Sequence, residues 1–238
     1  MVQQFTPETE TPILYPESDG QPMADNTQQF RWIVTIKENL EILFASVSEV
    51  FVAGDLLWYP VEGNNKIRQA PDVMVVFGRP KGDRGSYQQW EENKIAPQVV
   101  FEIISPGNRA KQMAEKLLFY QRYGVEEYYL YDPKRQELTG LQRRDNWLEP
   151  IEQMNSWVSP RLEIRFELTE TGLEIYRPDG EKFLTFVELD QLRQQEQQRA
   201  EQERQRAEQE YQRAEQERQR AERFAERLRE LGVNPDEL

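Results

Sequence analysis

Three side chains in the first half of the sequence stand where a purely structural segment would carry apolar groups, and their types suit one chemistry. Asp72 follows Pro71 at the mouth of the run Val73-Met74-Val75-Val76-Phe77, which reads as a buried strand entered from an X-Pro turn. Glu102 interrupts a second run, Val99-Val100-Phe101-Glu102-Ile103-Ile104, otherwise apolar on both faces as a central strand is. Period-two alternation puts Glu102 on the face of Val100 and Ile104, in a layer that should be dry. A lone ionised carboxylate there costs several kcal/mol, so it needs a cation, a metal or a proton. Lys116 offers the cation. The spacing predicts a helix from about Asn108 to Tyr123, with Asn108 as N-cap and Gly124 as its stop. Met113, Leu117 and Tyr120 form the core-facing stripe of that helix, and Lys116 falls inside the stripe, aimed at the sheet.

Two acids and a lysine converging at strand ends match the parts of metal-assisted phosphodiester hydrolysis. Carboxylate oxygens hold Mg²⁺ or Mn²⁺, the metal generates hydroxide and neutralises charge developing at phosphorus, and the lysine orients or activates the water. The structural alternative makes Glu102 and Lys116 one buried ion pair and Asp72 a turn-capping residue. Asp55, in Val52-Ala53-Gly54-Asp55-Leu56-Leu57, is a weaker extra ligand or an exposed strand residue. Gln112 precedes Lys116 by four residues and either orients it or a ligand, or is a solvated first-turn side chain.

Pro71-Asp72, then Glu102-Ile103-Ile104-Ser105-Pro106, then Lys116 with Tyr120, then Gly124-Val125-Glu126-Glu127-Tyr128-Tyr129-Leu130-Tyr131-Asp132-Pro133 resembles the restriction endonuclease family called Uma2, over roughly residues 30 to 135. The resemblance implies a restriction-endonuclease-like fold of the PD-(D/E)XK superfamily, a metal-dependent endonuclease activity, and Asp72, Glu102 and Lys116 as its catalytic set. In that superfamily the lysine usually lies two residues after the Glu. Ile104 occupies that position here, and the resemblance implies that the role moves to Lys116. Gln112 stands where the family tends to carry an Asp.

The chain of 238 residues contains neither Cys nor His, which excludes thiol catalysis, Ser-His triads, disulfides and almost all zinc sites. Any metal must be hard and oxygen-bound. No apolar run approaches the length of a membrane span, and no basic leader opens the chain, so the expected location is cytoplasmic with no membrane contact. The formal charge is −13. Residues 191–230 hold ten Arg and ten Glu and the last eight residues add two acids, leaving −11 on the first 190. Nucleic acid, DNA by preference, is the expected partner, yet phosphate binding normally shows as a basic surface. A local patch of Lys66, Arg68, Arg79, Lys81, Arg84, Arg109 and Lys111 would have to serve, unless these cations are ordinary solubilising charge.

The expected fold class is α/β with a mixed sheet, antiparallel strands toward the C-terminus and a long final helix. The expected segments are an unstructured arm over 1–28, a nuclease-like domain over 29–187, a charged helix over 188–231 and a tail over 232–238. Within the domain, Phe30 to Phe44 reads as a helix, Val50 to Val61 as a strand, and Glu127 to Tyr131 as a strand closing a strand-helix-strand unit. Leu138 to Gln142 and Trp147 to Ile151 form a hairpin about Arg144-Asp145-Asn146, and Leu162 to Leu168 is a half-exposed strand. The polar stretch from Gly78 to Pro97 carries Tyr87 and Trp90, which either stack on bases or staple the loop to the core. From about Val187 the composition turns to Gln, Glu, Arg and Ala, with a seven-residue repeat at 199–205, 206–212 and 213–219. A heptad seam of Ala200, Ala207, Ala214 and Ala221 has Glu203, Glu210 and Glu217 as companions. That leaves two options: a solitary helix held by Glu-Arg pairs, or a weak coiled coil joining a homodimer. The rival to an enzyme is a catalytically inactive nuclease-like module that recruits a partner protein through this helix.

Overall fold

The computed structural model describes residues 13–230 except 19, 21, 108 and 109. Contacts divide the chain into two units, Met1–Thr185 and Phe186–Leu238. The first unit opens with α1 (Thr27–Leu43), whose N-cap Asn26 accepts the backbone N–H groups of Gln28 and Gln29, as an Asx cap does. Among the described residues of this unit, eleven strands follow. They are β1 (Val50–Gly54), β2 (Trp58–Tyr59), β3 (Val73–Phe77), β4 (Tyr87–Gln88), β5 (Val99–Ile103), β6 (Glu127–Asp132), β7 (Glu137–Arg144), β8 (Trp147–Pro150), β9 (Trp157–Val158), β10 (Arg165–Thr169) and β11 (Gly172–Tyr176). Between β5 and β6 runs α2 (Ala110–Tyr123).

Six strands form one mixed sheet in the order β1-β3-β5-β6-β7-β8. Within this sheet, among the described residues, only β5 and β6 pair in parallel, with Glu102 opposite Leu130, and that is the pair joined by the α2 crossover. Alternation splits the apolar residues between two cores. Val73, Val75, Val99, Phe101 and Ile103 face Ile33, Ile36 and Leu40 of α1, together with Phe166, Leu173 and Ile175 from the three-stranded sheet β11-β10-β9. Met74, Val76, Val100 and Tyr128 face Tyr120 of α2, with Trp58 and Tyr87 from the parallel β2-β4 pair. Elements thus cover both faces of the central strands, which explains why β3 and β5 read as continuous apolar runs.

The expected mixed α/β class with late antiparallel strands and a long final helix is the observed one. Several boundaries differ. Helix α1 starts three residues before Phe30, because Asn26 supplies the cap. The strand expected over Val50–Val61 is two strands, broken at Asp55, whose φ of +49° is left-handed, a conformation Asp tolerates better than most residues. Residues 13–18 of the expected arm are built against the domain. Tyr15 lies edge-on to Tyr59 and tilted on Trp90, and its hydroxyl accepts the Gly63 N–H at 2.6 Å. Asn65 donates to the Leu14 carbonyl and the Tyr59 hydroxyl to that of Pro16. Thr27 and Gln28, also expected in the arm, belong to α1; residues 1–12, 19 and 21 lie outside the described residues, as does the expected Asn108 cap. The Gly78–Pro97 stretch is a staple: Tyr87 is buried and its hydroxyl donates to the Ile95 carbonyl at 2.7 Å.

The second unit contains α3 (Phe186–Glu230), 45 residues long with no buried residue. Its described pairs include Glu201 with Arg204 at 3.0 Å and Arg218 with both Glu215 and Glu222 at 3.5 Å. No helix among the described residues is long and apolar enough to cross a membrane.

Candidate active site

Strand β5 ends on Glu102 and Ile103, and β3 begins one residue after Asp72. Because β3 and β5 pair with Val73 opposite Phe101, the two acids come to neighbouring strand ends, and alternation puts both on the α2 face. Glu102 is only 2% exposed. Lys116, at the middle of α2, reaches back to it with Nζ 2.6 Å from Oε2, and the Tyr120 hydroxyl one turn later donates to Oε1. Helical i, i+4 spacing sets both donors on one face above one carboxylate. Asp72 is also buried, and its Oδ2 accepts the Ile103 backbone N–H at 2.6 Å.

Beside these residues lies a cavity of about 280 Å³, lined by Asp25, Gln29, Asp55, Asp72, Gln112 and Lys116 among others. Its electrostatics follow from the burial and mutual charges of Asp72, Glu102, Asp55 and Lys116. Burial, and then the nearby charge of Glu102, push the Asp72 carboxyl up to about 8, against the weaker opposing pull of Lys116 and of hydrogen bonds from Ile103 and Gln29. Burial works against the charge on Lys116, yet Glu102, Asp72 and Asp55 together outweigh it and hold its pKa above the ordinary lysine range. Burial and the Glu102 charge keep the Tyr120 hydroxyl protonated far above its usual range. Lys116 is therefore a fixed cation and donor here.

The structure brings Asp72, Glu102 and Lys116 together, with Asp55 and Gln112 on the same cavity. It does not gather the expected basic residues there. Arg79 and Arg84 each place Nε 2.6 Å from a Glu92 oxygen, and Arg84 also lies over the Phe51 ring. Lys81 faces Glu41 at 3.8 Å and lines, with Arg84, a different cavity. Lys111 faces Glu115 at 3.7 Å, and Arg109 lies outside the described residues. Arg79, Lys81 and Arg84 of the polar stretch thus each face an acid, two of them Glu92 within the stretch itself, and Arg68 donates to the Tyr59 hydroxyl at 3.3 Å.

Sequence reasoning missed Gln29 and Asp25 as residues of the site. Gln29 is 6% exposed and its Nε2 donates to the Ile103 carbonyl at 3.0 Å, while its Oε1 accepts the Asp25 N–H at 2.8 Å. Asp25 in turn accepts the Ser105 hydroxyl. A signal for Gln29 exists: it continues the Ile33, Ile36 and Leu40 stripe one turn earlier, a polar residue on a core-facing row. Among the described residues, no three Asp, Glu, His or Cys side chains are grouped so as to hold a metal ion by themselves.

A family model, Uma2, described as "Putative restriction endonuclease", matches residues 15–175 and so spans every residue of the cavity. No curated protein matches the chain. Among solved structures it is similar to the crystal structure of a "putative nuclease belonging to DUF820" from Anabaena variabilis ATCC 29413. That similarity has 15% identity and a TM-score of 0.43, and covers 63% of this chain and 84% of that one.

Proposed function

This chain belongs to the Uma2 family, and from that premise we propose that it is a Mg²⁺- or Mn²⁺-dependent endonuclease that hydrolyses phosphodiester bonds of DNA. The centre is of the PD-(D/E)XK type with its lysine moved from the strand to the helix. The observation that carries the reading is Asp72. A buried carboxyl held to about pH 8 beside a second carboxylate is an expensive arrangement for a fold, and one that a divalent cation in place of the proton relieves. The donor set fits a small hard ion. Two neighbouring carboxylates match the way Mg²⁺ is held by one or two carboxylates while keeping waters and phosphate oxygens. When bound, such an ion supplies Lewis-acid charge to the phosphate that is attacked.

The side chains divide the remaining work. Asp72 and Glu102 would hold the ion, and Asp72 gives up its proton to do so. Lys116, kept protonated by its carboxylate neighbours, presents Nζ to the cavity to orient the attacking water and balance charge at the phosphate. The Tyr120 hydroxyl fixes the Glu102 rotamer by occupying one oxygen. Asp55 and Gln112 contribute polar walls.

One observation favours the rival reading of an inactive module acting through α3: both Glu102 oxygens already have donors in the protein. A plasmid-nicking assay with Mg²⁺ or Mn²⁺ separates the two. Wild type is expected to cut, and Lys116→Met, which keeps the length of the side chain, to cut at least about a hundredfold more slowly. Equal rates, or no cleavage by folded wild type with either ion, would overturn the nuclease reading.

A further inference from the structure

The first turn of α1 reaches the candidate centre through one side chain. Gln29 is buried, its backbone N–H is fixed by the Asn26 cap at 2.9 Å, and its amide bridges Asp25 N–H and the Ile103 carbonyl. The Ile103 backbone is shared: its C=O accepts from Gln29 and its N–H donates to Asp72 at 2.6 Å. Gln29 and Asp72 line the same cavity, and Asp72 is tied to Gln29 through the Ile103 backbone, which accepts from the one and donates to the other.

We propose that Gln29 is a positioning residue for the divalent cation: it holds the Asp72 carboxylate in the rotamer that faces the cavity, and so sets the affinity of the centre without touching the ion. The inference rests on the metal-site reading above. It goes further by assigning to helix α1 a part in a centre otherwise built from β3, β5 and α2. Groups that orient a ligand in this way are worth about 10- to 100-fold in metal affinity or activity.

The test uses full-length protein carrying Gln29→Met, which keeps the side-chain length and removes the amide. A second variant, Gln29→Asn, keeps the amide but shortens its reach, and serves if the first does not fold. Mn²⁺ affinity is measured by calorimetry, and cleavage is measured as a function of Mn²⁺. The expected result is an affinity about tenfold weaker, with kcat restored by raising Mn²⁺ and KM for DNA unchanged. A purely structural role would instead lower kcat at every Mn²⁺ concentration. Affinity within twofold of wild type in a folded variant overturns the positioning role while leaving the metal site standing. Absence of Mn²⁺ binding by wild type overturns the metal site itself and this inference with it.

Discussion

The Asp72 carboxyl loses its water on folding and comes to rest beside Glu102, so the folded chain holds that proton to about pH 8, whereas an unfolded chain releases it near pH 4. Between those values the folded state binds one more proton than the unfolded state. The stability this group contributes is therefore whole below about pH 4, declines as pH rises, and is lost above about pH 8. Asp72→Asn removes the ionisation and keeps an oxygen for the Ile103 N–H. In cation-free buffer it is expected to unfold several degrees higher than wild type at about pH 8.5, at roughly 2–4 °C per kcal/mol for a domain of this size. The two proteins should converge near pH 4. Thermal unfolding in a chelator across that range measures it, and an equal or lower unfolding temperature for the variant at high pH would show that the carboxyl is not strained. The same substitution is expected to abolish cleavage, because stability and activity make opposite demands on this residue.

At the scale of elements, the strands beside the acids were legible as apolar runs, one entered from Asp72 and the other interrupted by Glu102, and α2 because Lys116 falls in an apolar stripe. Helix α1 was legible as a helix but not as part of the site. Its link to the centre runs through a side chain to a backbone carbonyl 74 residues away, and no local pattern encodes such a contact. The docking of residues 13–18 was hidden for a related reason: Tyr15 and its partners Tyr59 and Trp90 are far apart in sequence, and a polar composition gave no apolar stripe to read. The ion pairs of Arg79 and Arg84 were hidden too, since the spacing from Glu92 matches no helical or strand period. Helix α3 is the opposite case, where local rules suffice. Pairing that seats Ala200, Ala207 and Ala214 would also bring Glu203, Glu210 and Glu217 together, a costly seam. Contacts at i+3 and i+4, such as Glu201 with Arg204 and Arg218 with Glu222, each add about 0.2–0.5 kcal/mol within a single helix. The helix is therefore expected to stand alone. Sedimentation of the full chain should give a monomer across a wide concentration range, and its helical dichroism should fall as NaCl rises toward 1 M, because exposed pairs are screened. A dimer whose signal is insensitive to salt would favour the heptad seam instead.

Taken whole, the molecule presents an acidic body to a polyanion. The first 190 residues carry −11, and several cations near the site in sequence face acids: Arg79 and Arg84 face Glu92, Lys81 faces Glu41 and Lys111 faces Glu115. Long-range attraction, which gives most nucleic-acid-binding proteins their affinity and their steep loss of it with salt, is replaced here by long-range repulsion. On the proposed reading, what draws the phosphate acts at short range, at Lys116 and the cation that Asp72 and Glu102 would hold. Repulsion at a distance is screened by salt, while contacts inside a narrow cavity are screened much less. The screening length shrinks from about 30 Å at 0.01 M to about 10 Å at 0.1 M. With Mn²⁺ saturating throughout, kcat/KM on DNA is therefore expected to rise severalfold between about 10 and 100 mM NaCl, through a faster encounter and with kcat unchanged. A protein that bound through a basic patch would show a steep fall over the same interval, about one power of salt for each phosphate neutralised. Initial rates across a NaCl series distinguish the two, and a steep monotonic fall would mean that a cationic surface, not the buried centre, brings the substrate in.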